Sequence, residues 1–326
     1  MFKARITGLG SYLPDRVLTN QELEQMVDTS DEWILSRTGI QERRIAAPDE
    51  ASSDLGAKAL LKALEATKLK PEQLDLIIAC TMTPDYSCPS TGALIQKKVG
   101  ALNIPAADLL AACSGFLYGL SMAKAYVESG MARTVAVVTT EKMSSVIDFT
   151  DRNTCVLFGD GACAAIVQNE GKGLSLETIT LGADGDSELM CIPAGGSRHP
   201  ASLETVANRQ HYFKMNGKEV FKQAVRRMGQ AVKECLAQTG LNEAQVNWLV
   251  PHQANVRIMD ALAKQFTLGS DKIYKTIHKY GNTSGSSVAI ALEELLLENP
   301  PKPGDHILLV AFGGGLTWGA AVLKQL

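Results

Sequence analysis

LKPEQLDLIIAC (residues 69–80) returns later in the chain as LNEAQVNWLVPH (241–252). Each copy opens on Leu, crosses a polar run to Gln73 or Gln245, then places an apolar, a polar and three apolar positions. Each also follows a segment with apolar residues at helical spacing, 54–66 and 218–238. A second echo keeps the same order, with ACSGFLYGL (112–120) matching NTSGSSVAI (282–290). Two ordered matches point to a duplicated chain with halves of roughly 1–170 and 171–326. No Pro/Ser-rich or charged linker separates them, so the halves are expected to pack as one body.

Short apolar runs mark the strands: ARITGLG (4–10), LDLIIACT (74–81), TVAVVTT (134–140), CAAIVQ (163–168), VNWLVPH (246–252), HILLVAF (306–312) and GAAVLK (319–324). Helix-period segments at 54–66, 114–128, 218–238, 254–266 and 286–298 alternate with them. That alternation gives an α/β fold, with helices covering a sheet expected to be mostly parallel.

Bulk properties narrow the function classes. The 326 residues are 45% hydrophobic and 21% charged, with a formal net charge of −3. Such a balance provides no general attraction to nucleic acid or an anionic membrane, so an acidic partner must meet a local basic patch. The seven cysteines show no CxxC spacing and do not cluster with the five histidines, which argues against a disulfide framework or a zinc site. No apolar run reaches the ~20 residues of a membrane span, and the N-terminus lacks a signal-like apolar segment. A soluble, cytoplasmic protein is expected.

Four places carry chemistry. Within DLLAACSGFLYGLSMAKAYVESG (108–130) the period changes from strand to helix at Cys113, and Gly130 closes the helix. Free cysteines are usually small buried hydrophobes. At a helix N-terminus, however, free N–H groups and the helix dipole favour the thiolate, so a lowered pKa and a nucleophile are expected. His252 ends the run WLVPH, at the C-terminal edge of a strand, where open α/β sheets place their sites. Asn282 precedes a helix in the segment echoing the Cys113 loop, an ordinary capping position that duplication would turn toward Cys113. Finally, AFGGGLTWG (311–319) sets Gly313–Gly315 after a buried strand, either as a plain hairpin or to present N–H groups to an oxyanion.

Together ACSGF, VPHQAN, GNTS and FGGGLTWG resemble the β-ketoacyl-acyl-carrier-protein synthase III family. The motifs GLGSYLP, DTSDEWILSRTGI, DRNTCVLFGDGA and MNGKEVFK extend the likeness from end to end, in order. The resemblance implies a thiolase fold: a duplicated α-β-α-β-α layering with two five-stranded layers and pseudo-twofold-related halves, assembled as a homodimer. It implies a catalytic triad of Cys113, His252 and Asn282, with the N–H groups of Cys113 and Gly314 as oxyanion donors. Coenzyme A would be met by Trp33, Arg37 and Arg152, with the adenine between Trp33 and Arg152. Acyl carrier protein would dock on Gln253, Ala254, Asn255, Val256 and Arg257, with Lys222 and Lys264 adding to the basic patch. Lys218, Lys222 and Arg226 fall at i, i+4 and i+8, one helical stripe.

The implied reaction condenses an acyl-CoA, typically acetyl-CoA, with malonyl-acyl carrier protein. It needs no metal or other cofactor, coenzyme A thioester being a substrate. In TPDYSCPST, Cys88 replaces a bulky aromatic of some relatives that lines the neighbouring subunit's acyl pocket, which leaves room for a longer or branched primer. The alternative is therefore a condensing enzyme of secondary metabolism using such a primer. A hydroxymethylglutaryl-CoA synthase is less suited to the carrier-docking stretch. A papain-like hydrolase would need a CGSCW-like neighbourhood that is absent, and an inactive scaffold would not keep the whole set.

Overall fold

The computed structural model describes every residue except Met1 and Thr267. The first half contains β1 (Arg5–Tyr12), β2 (Arg16–Thr19), α1 (Asn20–Glu24), α2 (Asp31–Thr38), β3 (Glu42–Ile45), α3 (Ser52–Thr67) and β4 (Leu76–Cys80). It continues through α4 (Thr91–Val99), β5 (Ala106–Leu109), α5 (Gly115–Glu128), β6 (Thr134–Glu141), α6 (Arg152–Cys155) and β7 (Gly161–Gln168). The second half runs β8 (Leu174–Asp186), β9 (Met190–Cys191), α7 (Leu203–Ala207), β10 (Lys214–Met215), α8 (Gly217–Thr239) and β11 (Trp248–Pro251). Then come α9 (Val256–Ala263), α10 (Ile277–Tyr280), α11 (Ser287–Glu298), β12 (His306–Gly313) and β13 (Gly315–Gln325).

Nine strands hydrogen-bond in the order β11-β12-β13-β8-β1-β7-β6-β4-β5. β1 meets β8 only where Arg5 and Ile6 pair with Ser175 and Leu174, so this corner joins two arms. Apolar side chains fill the layers. α3 pairs with α4 against β4, β6 and β7 on one outside. On the other, α8 and α9 lie against β11, β12 and β13. Between the arms, Phe116, Leu117 and Leu120 of α5 and Val288, Leu292 and Leu295 of α11 are buried against strands of both. Each of the larger side chains among them contributes roughly 1.5–3 kcal/mol. The result is the expected α-β-α-β-α stack. Among the described residues no helix is long and apolar enough to cross a membrane.

The duplication is metrically regular. Helix ends Thr67 and Thr239, strand starts Leu76 and Trp248, helix starts Gly115 and Ser287, and the strands Thr134–Glu141 and His306–Gly313 are all separated by 172 positions. Ala112 and Ser284, again 172 apart, both adopt left-handed backbone, with φ of 44° and 49°. The match of 112–120 to 282–290 was therefore two residues out of register. Ser284 is the counterpart of Ala112, and Gly285 that of Cys113.

Three other expectations are corrected. The sheet is not mostly parallel: among the strands of the described residues, only β4 with β5, β4 with β6, and β11 with β12 run parallel. Parallel neighbours need a helical crossover, whereas β12 and β13 are joined through Gly314 alone and must be antiparallel. Among the described residues the second arm holds four strands, not five, because its outer place is taken by a short turn at Ser270–Lys272 and one bridge from Ile273 to Leu249. β8, 13 residues long, was not anticipated. Only its first three residues are buried, so LSLETITLGADGD offers no sustained apolar run.

Candidate active site

Cys113, His252 and Asn282 border one cavity of about 760 Å3, walled also by residues of both halves. Cys113 and Asn282 reach it from the equivalent segments before α5 and α11, and His252 from the end of β11.

Cys113 lies in the single turn Ala112–Ser114 that precedes α5, and it keeps a face open to the cavity. The left-handed Ala112 is a strained position for a residue with a Cβ. The neighbouring backbone leaves little freedom. An added Cβ on Gly313 would lie 2.6 Å from the Cys113 nitrogen, and one on Gly285 would lie 2.9 Å from the Ala112 carbonyl oxygen. Gly314 borders the cavity and has room, its nearest neighbours to an added Cβ being at 3.8 Å. The start of α5 has no side-chain cap, since Ser114 Oγ donates instead to the Thr317 carbonyl at 3.1 Å.

The expected low thiol pKa is not met. Burial pushes the Cys113 thiol up to about 12, and the nearby Glu141 charge adds to the rise. Enclosure outweighs the partial charge of a helix N-terminus here. At rest Cys113 is a neutral thiol, 3.7 Å from Ser284 Oγ.

His252 is buried, and its backbone N–H donates to Val310 O at 2.7 Å. Its Nδ1 lies 2.5 Å from Ser287 Oγ, and the same oxygen accepts the Gln253 N–H at 3.3 Å. With Ser287 Oγ as the donor to Nδ1, the ring carries its own proton on Nε2. Burial lowers the His252 pKa to about 3, so a neutral imidazole borders the cavity.

Asn282 is held between loops, donating its N–H to Leu157 O at 2.8 Å and accepting from Gly159 N at 3.1 Å. Its side-chain Oδ1 accepts the Ser284 N–H at 2.8 Å. With the oxygen engaged, the amide NH2 is the group left for the cavity.

At the mouth, the Arg152 guanidinium stacks 4.3 Å over the Trp33 ring and donates to Asp28 O at 2.9 Å. Arg37 lies 5.2 Å from the same ring. Trp33 and Arg37 border the cavity, as do Lys218, Lys222, Ala254, Asn255 and Arg257. Lys222 pairs with Glu219 at 2.7 Å. Lys264 is exposed beyond the cavity, and Val256 is half-buried against α2. Cys88 is exposed and lies outside the cavity.

Gln253 must be taken out of the expected docking surface. It is 1% exposed, donating to Pro251 O and Tyr274 O while its Oε1 accepts the N–H groups of Thr276 and Ile277. It ties the His252 strand to the segment before Asn282. The sequence reading also missed Ser284, Ser287 and Glu141. The serines were visible in GNTSGSSV, and Glu141 as a charge ending the apolar run TVAVVTT. Among the described residues, no group of three His, Cys, Asp or Glu side chains could hold a metal ion.

Comparison with known proteins agrees with this architecture. Residues 107–185 match the family model described as 3-oxoacyl-[acyl-carrier-protein (ACP)] synthase III, and residues 236–325 match that of its C-terminal part. The chain is 56% identical over 325 residues to a β-ketoacyl-[acyl-carrier-protein] synthase III of Chlamydia trachomatis, covering 99% of each. It is 53% identical over 322 residues to the protein of that name from Caldanaerobacter subterraneus, covering 98% of this chain and 97% of the relative. The crystal structure of 3-oxoacyl-[acyl-carrier-protein] synthase III from Aquifex aeolicus has a TM-score of 0.90 and 44% identity, covering 98% of this chain and 99% of that one. With family models matched in both halves and relatives matched along almost the whole chain, this protein belongs to the 3-oxoacyl-[acyl-carrier-protein] synthase III family.

Proposed function

We propose that this chain carries out the decarboxylative condensation of an acyl-CoA primer, acetyl-CoA in the first instance, with malonyl-acyl carrier protein, and so starts fatty acid synthesis. The products are a 3-ketoacyl-acyl carrier protein, CO2 and coenzyme A. One observation carries the reading: a thiol shares its cavity with His252 and Asn282, each held at one polar atom by a serine, which leaves the other ring nitrogen and the amide NH2 to act as donors in this reading.

In the first half-reaction Cys113 attacks the thioester carbonyl, and the N–H groups of Cys113 and Gly314 take up the oxyanion, an interaction worth about 3–4 kcal/mol per donor. Coenzyme A leaves and the acyl group stays on sulfur, which gives ping-pong kinetics. Malonyl-carrier then loses CO2. The thioester oxygen becomes an enolate, and neutral His252 Nε2–H and the Asn282 amide stabilise it. The carbanion attacks the acyl-Cys113 carbonyl and the lengthened chain departs on the carrier. No cofactor takes part; coenzyme A thioester is consumed as substrate.

Trp33, Arg37 and Arg152 are the proposed coenzyme A contacts. Ala254, Asn255, Val256, Arg257, Lys222 and Lys264 are the proposed carrier-facing stretch. We place the boundary between halves at residues 170 and 171, and the enzyme in the cytoplasm as a homodimer. β5 supports the dimer: it hydrogen-bonds on one side only among the described residues, with Leu110 beside it 73% exposed. Cys88 would then face the partner.

Intact-mass analysis after incubation with acetyl-, isobutyryl- and octanoyl-CoA, followed by CO2 release from malonyl-carrier, tests the whole reading. The expected result is an acyl adduct on the Cys113 peptide and CO2 only in the second step. An adduct with no CO2, or none at Cys113, would reject it. Preference for the longer or branched primer would instead favour a secondary-metabolism role.

A further inference from the structure

Glu141 ends β6 fully buried, and its four hydrogen-bond donors are all uncharged. Thr83 Oγ1 donates at 2.8 Å, Ser284 Oγ at 3.1 Å, Met82 N at 3.2 Å and Thr81 Oγ1 at 3.3 Å. The two threonine hydroxyls already accept backbone N–H groups, Lys142 N on Thr83 and Thr83 N on Thr81, so their protons are free to point at the carboxylate. Among the described residues this is a cradle for a carboxylate with no cation in it. Lys142 follows in sequence, but its ammonium turns away to Ala47 O and Pro48 O. The titratable groups that face Glu141 are thiols, Cys113 from the turn before α5 and Cys80 from the end of β4.

Ser284 sits between that carboxylate and the nucleophile. Its proton goes to Glu141, which leaves its lone pairs 3.7 Å from Cys113 Sγ. Its left-handed backbone holds it there, in the place the duplication gives Ala112 beside Cys113.

We propose that Ser284 and Glu141 are the proton path of Cys113: the thiol proton passes to the Ser284 hydroxyl as the hydroxyl's own proton passes to the Glu141 carboxylate. The inference rests on Cys113 being the acyl-accepting nucleophile. In the same step the bond from Cys113 Sγ to the acyl carbon forms, the bond from that carbon to coenzyme A sulfur breaks, and the departing thiolate takes a proton from cavity water. Near pH 7 Glu141 keeps that proton while the acyl group occupies the sulfur. When condensation expels the Cys113 thiolate, the proton returns through Ser284. Burial supports the storage role, raising the Glu141 pKa to about 7. The other nearby base, His252, is buried neutral and committed as a donor. Glu141 is thus a positioning residue acting through Ser284.

The test is rapid-quench mass analysis of Cys113 acylation between pH 6 and 10 for the wild type, E141Q and S284A, with proton uptake followed in a weakly buffered indicator solution. The wild type should show a transient uptake of up to one proton per acyl group near pH 7, because its thiol proton is held on Glu141 and coenzyme A draws another from solvent, and the uptake should fade toward pH 10 as Glu141, with its pKa of about 7, gives the proton up. Both variants should lose that uptake and acylate about a hundredfold more slowly near pH 7, with the gap closing as hydroxide takes over. Wild-type acylation without uptake, or a loss in the variants that is uniform across pH, would overturn the proposal. S284A leaves the carboxylate in place and decides the matter if E141Q fails to fold. Absence of any Cys113 adduct in the wild type would instead reject the underlying nucleophile reading.

Discussion

Ser287 Oγ lies 2.5 Å from His252 Nδ1 and at the same time accepts the Gln253 N–H. An oxygen that accepts the Gln253 N–H and gives its own proton to Nδ1 would let a hydroxyl on α11 decide which nitrogen of the ring carries a proton. S287A removes that decision. Condensation should fall about tenfold, the equivalent of one hydrogen bond to a buried group, while Cys113 acylation changes much less. Nitrogen chemical shifts of His252 should move from a pure Nε2–H form toward a tautomer mixture. Unchanged shifts would mean that the backbone, not Ser287, sets the tautomer.

Asn282 presents the same logic with an amide. N282D can still accept the Ser284 N–H at the present Oδ1 site, so the loop should hold. Its other oxygen, however, puts an acceptor and a charge where the proposed enolate would form. Condensation should drop by about two to three orders of magnitude, as for loss of an oxyanion donor. The acyl adduct on Cys113 should still be detected by mass. Loss of the adduct as well would show that Asn282 acts in the first half-reaction.

The acid limit of stability should carry the signature of His252. Its folded-state pKa of about 3 lies below the ordinary 6.5, so between those values the unfolded chain binds a proton that the folded chain refuses. Stability from this group is complete above pH 6.5 and declines toward pH 3, by on the order of 4–5 kcal/mol. Glu141, with its raised pKa, has the opposite slope between 4.5 and about 7, so the useful quantity is the difference between wild type and H252N. Urea titrations at several pH values should show the wild type losing more stability than H252N as pH falls from 6.5 to 4. Parallel losses would place the histidine in contact with water.

Cys113, His252 and Asn282 could be picked out from sequence because each sits where an apolar period breaks, and a break in period is a local property of the chain. The five-layer stack was readable for a related reason, since the helical stripe of α5 and the buried run of β6 repeat 172 residues on. What escaped was set by contacts across the duplication. β8 is held by its ladder to β13 rather than by an apolar pattern. Gln253 stands among docking letters yet faces inward, because a five-residue motif does not show which side chains turn into the protein. The thiol pKa depends on how completely the two arms close over Cys113, a quantity with no counterpart in the letters near it.

Arg152 and Trp33 are in direct contact, 4.3 Å from guanidinium carbon to ring centroid. A base lying between them needs two stacking distances of about 3.5 Å each, so Arg152 must swing off the ring before an adenine can enter. That movement gives up its bond to Asp28 O. W33A should raise the KM for acyl-CoA about tenfold, the usual worth of one base–aromatic stack, and leave kcat and the KM for malonyl-carrier much less affected. Steady-state kinetics with each substrate varied in turn separates these effects. A change in kcat alone would mean that Trp33 shapes the cavity rather than holding the nucleotide.

Arg257 is exposed in the first turn of α9, where its backbone N–H is bound by Asn255 Oδ1 at 2.8 Å and its side chain borders the cavity mouth. Lys222, across the mouth on α8, is partly neutralised by Glu219, so Arg257 should dominate the local field felt by an acidic carrier. A rim charge acts mainly on association, and its effect is screened by salt. R257E should therefore raise the KM for malonyl-carrier about tenfold at low salt and flatten its salt dependence. Cys113 acylation by acyl-CoA should suffer far less, because the neighbouring Trp33 and Arg37 remain. If both half-reactions fall equally, Arg257 serves the shape of the shared mouth, and the carrier must be guided by another surface.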